Sequence, residues 1–211
     1  MREFRSAPAI TCEAMTREPD VEKFSVLFVC LGNICRSPTA AGVFRQVAAE
    51  EAPQLDIRVD SAGTSDYHIG NPPDERSVRA ALGRGIDLRA SRARQVTARD
   101  FERFDLVLAM DRRNLRDLRA LQPGASRAEL RLFLEFAAEA EDLEVPDPYY
   151  GGPDGFERVL DLAMRASRGL IAQLLRGQGV ERPRGCLRQA PKAASAAAST
   201  SRPPARSKRA A

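Results

Sequence analysis

The residues with the clearest chemical potential lie in one short segment, residues 30–37, which reads Cys-Leu-Gly-Asn-Ile-Cys-Arg-Ser. A cysteine six positions before an arginine is uninformative alone in a chain so rich in arginine. The residues between them carry more information. Gly32 and Asn33 tolerate left-handed backbone conformations, so the loop can curl and point successive N–H groups inward. The segment therefore predicts an anion-binding nest.

The end of this segment predicts the start of a helix. Ser37 is a favoured N-cap residue, and Pro38 is favoured at the first helical position. The loop would then end at the positive end of a helix dipole, where phosphate-like anions bind.

Cys30 and Arg36 are the residues that such a nest would put to use. A thiol surrounded by N–H groups ionises readily, and the thiolate is the nucleophilic form. The guanidinium of Arg36 is a rigid fork suited to holding two phosphoryl oxygens. An isolated cysteine is more often a small buried apolar side chain, but this setting favours a nucleophile.

The elements that must position the loop follow from the hydrophobic pattern. Residues 26–29 form a short, apolar run typical of a strand covered on both faces. Helical periodicity begins at Pro38 and extends to residue 52. Further strands are predicted at 57–61, 105–110 and 130–133, and further helices at 74–84, 111–121 and 154–175. This alternation predicts a parallel sheet between helices, with the ligand site at the carboxyl ends of the strands.

Composition favours a soluble globular protein of one domain, with 211 residues, 43% hydrophobic and 29% charged. We assign that domain to residues 24–176. Residues 1–23 contain several acids and lack the apolar region of a signal peptide, which favours a cytoplasmic protein. We also expect this N-terminal extension to be disordered. The few, unevenly placed cysteines also favour a reducing compartment.

The basic pI of the chain arises from its C-terminal tail, residues 177–211, which holds eight Lys or Arg against one Glu. This tail is rich in Ala, Pro, Ser and Arg, and it has too few large apolar residues to fold. One interpretation is an electrostatic tether to an acidic partner, including weak nucleic-acid binding; the other is an unselected extension of biased composition. No membrane association is expected.

Residues 28–38 closely resemble the phosphate loop of the low-molecular-weight protein tyrosine phosphatases. The resemblance continues, in order and with fitting gaps, through residues 59–64, 70–74, 109–111 and 147–150. It implies a flavodoxin-like α/β fold of the phosphotyrosine protein phosphatase I type, in which helices cover both faces of a four-stranded parallel sheet. It also implies hydrolysis of phosphotyrosine on proteins, and of small aryl phosphates, without a cofactor or metal.

The same resemblance implies a role for each matching residue. Cys30 would be the nucleophile that becomes phosphocysteine, and Asp147 the general acid and later the base. Arg36 and the loop would bind the phosphoryl group. The residues assigned to substrate or phosphate binding are Leu31, Gly32, Asn33, Ile34, Cys35, Ser37, Tyr67, Tyr149 and Tyr150.

Further roles are more specific. Ser37 would hydrogen-bond the thiolate, while Asn33 and Ser61 would hold the loop backbone. Ile34 favours phosphotyrosine, because similar enzymes acting on phosphoarginine carry threonine at this position. Cys35 matches a second cysteine that can form a reversible disulfide with Cys30 on oxidation. A buried loop side chain is the alternative for Cys35, and ordinary packing is the alternative for Tyr67.

One departure from the family pattern stands out: Ser91 precedes Arg-Ala-Arg where many relatives carry histidine. His68, the single histidine, is predicted to lie at the rim of the site. Two other functions stay open. Arsenate reductases share this loop, but they need two further cysteines that residues 36–185 lack, and a phosphate-binding module would need no turnover. Expected partners are tyrosine-phosphorylated proteins. A cognate tyrosine kinase is a further possible partner, and whether it phosphorylates Tyr149 or Tyr150 stays open.

Overall fold

The computed structural model describes residues 23–138, 140 and 142–177. All the strands and helices predicted above are confirmed, and no boundary differs by more than two residues. A short helix (Asp100–Arg103) and a 3₁₀ helix (Phe133–Phe136) were not predicted. In chain order the elements are β1 (Phe24–Cys30), α1 (Arg36–Glu51), β2 (Ile57–Gly63), α2 (Glu75–Leu82), α3 (Asp100–Arg103), β3 (Leu106–Ala109), α4 (Arg112–Leu121), β4 (Glu129–Leu132), the 3₁₀ helix (Phe133–Phe136) and α5 (Pro153–Arg176).

The four strands form one parallel sheet in the order β2-β1-β3-β4, as expected. Strand β1 is central and is buried after its first residue. Its side chains alternate between the two faces of the sheet. Val26 and Phe28 pack in the cluster that contains α1 and α5, whereas Leu27 and Val29 pack in the cluster that contains α3 and α4. The helices therefore cover both faces, which confirms the predicted α/β architecture.

The sheet topology places the site. From β1 the chain passes first to β2 on one side and then to β3 on the other, so the strand order reverses at β1. Such a reversal opens a crevice at the carboxyl end of the central strand. The segment that leaves β1 at Cys30 and enters α1 at Arg36 fills this crevice.

The two predicted extensions fall almost wholly outside the described residues, so their disorder and the role of the basic tail stay predictions. The described elements run from Phe24 to Arg176, the range assigned to the domain. In these described ranges, no helix combines the length and apolar character needed to cross a bilayer.

Candidate active site

The loop joins α1 differently from the prediction made for Ser37. Helix α1 begins at Arg36, its N-cap position is Cys35, and no side chain caps it. The hydroxyl of Ser37 is instead turned into the loop, where it lies 3.1 Å from the sulfur of Cys30. Prediction of the N-cap was wrong because this hydroxyl has tertiary partners that a local pattern cannot show.

Cys30 lies at the floor of the loop and is 3% exposed. The backbone N–H of Asn33 donates to its sulfur at 3.3 Å. Ser37 Oγ also contacts the carbonyl of Ala62, at 3.2 Å, so its single proton can turn between that carbonyl and the sulfur. Both groups are positioned to donate a hydrogen bond to the sulfur.

Asn33 organises the loop from within. Its backbone adopts φ 54°, the left-handed conformation expected for it. Its side-chain amide donates to Ser37 Oγ and to Ser61 Oγ, both at 2.9 Å, and its Oδ1 accepts from the N–H of Arg94 at 3.0 Å. The predicted network of Asn33 and Ser61 is thus present, and it reaches a third segment of chain.

Arg94 is itself held on both sides. Its guanidinium pairs with Asp60 at 2.9 Å and with the buried Asp100 at 3.1 Å. Burial would raise the pKa of Asp100, but Arg94 and the hydroxyl and N–H of Thr97 outweigh that effect and lower it. The N–H that holds Asn33 therefore belongs to a braced backbone.

The end of strand β2 braces the outer side of the loop. Thr64 N–H donates to the carbonyl of Cys30 at 2.9 Å, and Ser65 N–H donates to that of Leu31 at 3.0 Å. Gly63 permits this approach, because a Cβ there would lie 2.7 Å from the carbonyl oxygen of Leu31. The carbonyls of Cys30 and Leu31 are thereby satisfied from outside the loop, while the N–H of Asn33 points inward to the sulfur.

Gly32 has a different purpose from the one predicted. Among the described residues only Asn33 in this loop has a positive φ, so the curl does not need left-handed glycine. A Cβ on Gly32 would lie 2.9 Å from the ring of His68. Any larger residue at this position would therefore push the ring of His68 aside.

Arg36 links the loop to two carboxylates from distant parts of the chain. Its side chain is 5% exposed. Nη1 donates to Asp111 at 2.6 Å and to the carbonyl of Val145 at 3.1 Å, and Nη2 donates to Asp147 at 3.0 Å. Burial would lower the pKa of Arg36, but the charges of Cys30, Asp147 and Asp111 outweigh it and raise that pKa above its usual value. The guanidinium is thus held cationic beside the sulfur.

A cavity of about 260 Å³ opens above Cys30. Asn33, Ser37 and Ser61 lie behind its wall as supports. The predicted residues that line it are Cys30, Leu31, Gly32, Ile34, Cys35, Arg36, Tyr67, Asp147, Tyr149 and Tyr150, and His68 completes the rim.

The mouth of this cavity is aromatic and exposed. The rings of Tyr149 and Tyr150 meet edge to face, with centroids 5.0 Å apart. Tyr67 is 77% exposed, so it is not an ordinary packing residue. Asp147 lies in the same rim, half-exposed, and accepts the N–H of Tyr149 at 3.1 Å. The cavity therefore has an anion-binding floor and an aromatic entrance.

Cys35 also borders the cavity, and it differs from Cys30 in its surroundings. Burial and the charges of Asp74, Cys30 and Asp147 raise the pKa of Cys35 to about 12, against the opposing effect of the Ser77 hydroxyl. Cys35 is accordingly a protonated thiol at neutral pH. Both cysteines are free in this structure.

Two contributors escaped the sequence analysis. Asp111, the N-cap of α4, binds Arg36 directly, and Arg94 holds Asn33. Asp111 stood in a recognised segment, 109–111, which could have drawn attention to it. Arg94 also stood in a recognised segment, the Arg-Ala-Arg after Ser91, but its bond to Asn33 comes from the backbone, which a side-chain pattern does not reveal. Across the described stretches, no cluster of three or more His, Cys, Asp or Glu is arranged to hold a metal ion.

Comparison with known proteins agrees with this geometry. The family model described as low molecular weight phosphotyrosine protein phosphatase matches residues 25–179. The low molecular weight phosphotyrosine protein phosphatase of Homo sapiens is 44% identical over 149 residues, which cover 70% of this chain and 93% of that protein.

Solved structures give the same result. A protein tyrosine phosphatase from Entamoeba histolytica superimposes with a TM-score of 0.71 at 38% identity, covering 74% of this chain and all of that one. A Drosophila arginine phosphatase superimposes with a TM-score of 0.66 at 28% identity, covering 71% and 96%. The described fold is therefore one that proteins of this group share.

Proposed function

Because this chain belongs to the low molecular weight phosphotyrosine protein phosphatase family, whose members are hydrolases, we propose that it hydrolyses phosphotyrosine on proteins through a phosphocysteine intermediate. One observation carries the proposal: the sulfur of Cys30 lies at the floor of an inward-facing loop, with Arg36 beside it and Asp147 at the mouth. In the proposal these three residues serve as nucleophile, oxyanion-binding group and proton donor around one small cavity.

In the first step the thiolate of Cys30 attacks phosphorus in line with the ester oxygen. The sulfur–phosphorus bond forms as the phosphorus–oxygen bond to the aromatic ring breaks. Arg36 and the loop N–H groups stabilise the charge on the three equatorial oxygens. Asp147 transfers its proton to the departing phenolate, so tyrosine leaves as a neutral phenol.

In the second step water attacks phosphorus while Asp147, now a carboxylate, accepts its proton. The sulfur–phosphorus bond breaks and inorganic phosphate is released. Cys30 departs as a thiolate, which the hydroxyl of Ser37 and the N–H of Asn33 stabilise. Two moderate barriers replace one high barrier.

The ion pair between Arg36 and Asp147 gives this cycle a defined starting state. Nη2 of Arg36 is occupied by Asp147 at 3.0 Å before substrate arrives. A phosphoryl group entering the nest competes with Asp147 for this guanidinium. Substrate binding would thereby release Asp147 from Arg36 and leave it beside the ester oxygen for the first step.

The aromatic rim and Ile34 support phosphotyrosine as the substrate. Tyr149, Tyr150 and Tyr67 border the entrance at which the ring of phosphotyrosine would lie. The structurally similar Drosophila protein is an arginine phosphatase, so phosphoarginine is the competing substrate. The branched apolar side chain of Ile34 in the cavity wall favours the aromatic ester.

Peptides of one sequence that carry phosphotyrosine, phosphoserine or phosphoarginine at the same position test the substrate. We expect kcat/KM for phosphotyrosine to exceed the other two by at least about 100-fold, since only its ring reaches the tyrosine rim while its phosphorus reaches Cys30. Phosphate release measured across the three peptides decides the matter. Higher activity on phosphoarginine would reverse the assignment.

Cys35 completes the proposal as a redox partner. If peroxide oxidises Cys30 to a sulfenic acid, the thiol of Cys35 can displace water from it to form a disulfide. Because burial raises the pKa of Cys35 to about 12, Cys35 is the less reactive of the pair towards the oxidant. In this proposal Cys35 is the resolving thiol, the one that reacts with the sulfenic acid of Cys30.

Arg76 ties the segment bearing Asp147 to the loop. It donates to the carbonyl of Tyr149 at 3.0 Å and forms two further bonds with Asp74. The N–H of Asp74 donates in turn to the carbonyl of Ile34 at 2.8 Å. The guanidinium also stacks 4.8 Å from the ring centre of Phe156 on α5. These contacts make Arg76 a positioning residue for the acid.

The variant Arg76→Gln is expected to lower kcat for phenyl phosphate about tenfold, because a small displacement of Asp147 impairs proton transfer. The dinitrophenyl ester, whose leaving group needs little protonation, should lose much less. Steady-state kinetics with both esters measure the difference. Arg79→Gln, on the same helix but without these contacts, is the matched control. Equal losses on both esters in Arg76→Gln would contradict a positioning role.

A further inference from the structure

A second cavity adjoins the one above Cys30. It has a volume of about 620 Å³ and shares Leu31, Arg36 and Asp147 with the first as walls. Its other walls come from the start of α4, from residues 142–146 and from Arg158 on α5. A peptide whose phosphotyrosine enters the first cavity therefore has a neighbouring groove beside it.

The acidic side chains of this groove all lie within pairing distance of a guanidinium, with Arg36 and Arg112 each serving two carboxylates. Asp111 and Asp147 pair with Arg36 at 2.6 and 3.0 Å, and both belong to the site described above. Asp142 and Glu144 pair with Arg112, at 4.0 and 3.5 Å. Each of the four carboxylates in the groove thus has a guanidinium partner.

Three arginines of the groove are left over. Arg113, Arg116 and Arg158 are exposed, and within the described part of the chain no carboxylate lies close enough to pair with them. Arg113 and Arg116 are three residues apart on α4, so they share one face of the helix. A row of arginines is often only a solvated surface, but these three border a concavity that opens onto the reacting centre.

We propose that this surface, the arginine groove formed by Arg113, Arg116 and Arg158, binds Asp or Glu side chains that flank the phosphotyrosine of a protein substrate. The inference rests on the proposed function and extends it to substrate sequence. Guanidinium groups pair with carboxylates in a two-pronged geometry, which gives orientation as well as attraction. The enzyme would then select acidic segments.

The reach of the groove limits which residues it reads. An extended peptide advances about 3.3–3.6 Å per residue, and three residues of helix rise about 4.5 Å. Because the groove and the cavity share Arg36, acidic residues within about three positions of phosphotyrosine are close enough. Exposed pairs are individually weak and are screened by salt, so the effect should come from several together and fall as ionic strength rises.

Two phosphotyrosine peptides test the proposal with the full-length enzyme. One carries Asp or Glu at the three positions on each side of phosphotyrosine, and the other carries Asn or Gln at those positions. We expect the acidic peptide to have a kcat/KM about tenfold higher at low salt, and we expect this ratio to approach one at high salt. Peptides with acids on one side only would show which flank the groove reads.

The variant that removes the groove's charge combines Arg113→Gln, Arg116→Gln and Arg158→Gln. In this variant we expect the acidic-to-neutral ratio to fall to about one. The control loses the same net charge from exposed sites outside both cavities and should keep the ratio. Its substitutions are Arg99→Gln, Arg119→Gln and Arg165→Gln. Thermal unfolding of both variants identifies any loss of fold.

The outcomes separate this inference from the function beneath it. Equal kcat/KM for the two peptides in the wild type would overturn the arginine groove while leaving phosphotyrosine hydrolysis in place. A ratio that persists in the triple variant would also overturn it. If the enzyme hydrolysed neither the neutral peptide nor the acidic one, the proposed function itself would be overturned.

Discussion

Replacing Cys30 with serine is expected to lower kcat for phosphotyrosine hydrolysis by about 10⁴-fold or more. The reason is that a serine hydroxyl at this position stays protonated, and no neighbouring side chain acts as its base. Ser37 and Asn33 offer donors to the atom at position 30, which stabilise an anion but cannot remove a proton from a hydroxyl. Phosphate release from a phosphotyrosine peptide measures the loss.

Three controls make the Cys30→Ser result decisive. Binding of inorganic phosphate, followed by the rise in melting temperature, should persist, because Arg36 and the loop N–H groups are intact. A variant with Cys12 and Cys186 replaced by serine, both outside the described residues, should keep its activity. Acid quenching of the wild type during turnover should trap phosphate on a peptide containing Cys30. Turnover in Cys30→Ser near the wild-type rate would contradict the nucleophile assignment.

Asp147→Asn is expected to lower kcat for phenyl phosphate by about 10²- to 10³-fold, since an amide cannot donate a proton to the leaving phenolate. The loss should shrink to about tenfold or less with a dinitrophenyl ester, whose leaving group departs as a stable anion. This contrast between leaving groups separates a missing acid from a disturbed nest. Steady-state kinetics of both esters provide the measurement.

The control for Asp147→Asn is Asp154→Asn, the same substitution at an exposed residue in the first turn of α5 that borders neither cavity. It should leave both esters unaffected. Asp147→Asn also removes one partner of Arg36, but Asp111 and the carbonyl of Val145 still hold that guanidinium. If both esters lost activity equally, Asp147 would be a support for Arg36 and another group would have to supply the proton.

The two carboxylate partners of Arg36 differ in their exposure to solvent. Arg36 binds Asp111, which belongs to the cap of α4, and Asp147, which belongs to the rim. The side chain of Asp111 is 21% exposed, and its contact holds the guanidinium in place. The side chain of Asp147 is 45% exposed, and its contact is the one that an entering phosphoryl group can displace. In the proposed mechanism, the contact with Asp111 keeps the anion site ready, and Asp147 supplies the acid.

The helices and strands could be predicted because their signals are local. The apolar run 26–29 and the helical pattern after Pro38 need no knowledge of distant residues, and both were confirmed. The prediction for Ser37 failed for the opposite reason. An N-cap pattern is also local, but here the hydroxyl faces Cys30 and the carbonyl of Ala62, which the pattern does not include.

The sequence by itself determined that residues 30–37 form a loop that leads into a helix, and it predicted the nucleophile there, since the curl and the chemistry both lie within eight consecutive residues. It also determined the alternation of strands and helices that puts this loop at the carboxyl ends of the parallel strands. Only the tertiary structure decided which of the 29 acidic residues face Arg36. Asp111 and Asp147 lie 75 and 111 residues further along the chain, and such contacts depend on how the elements between them pack.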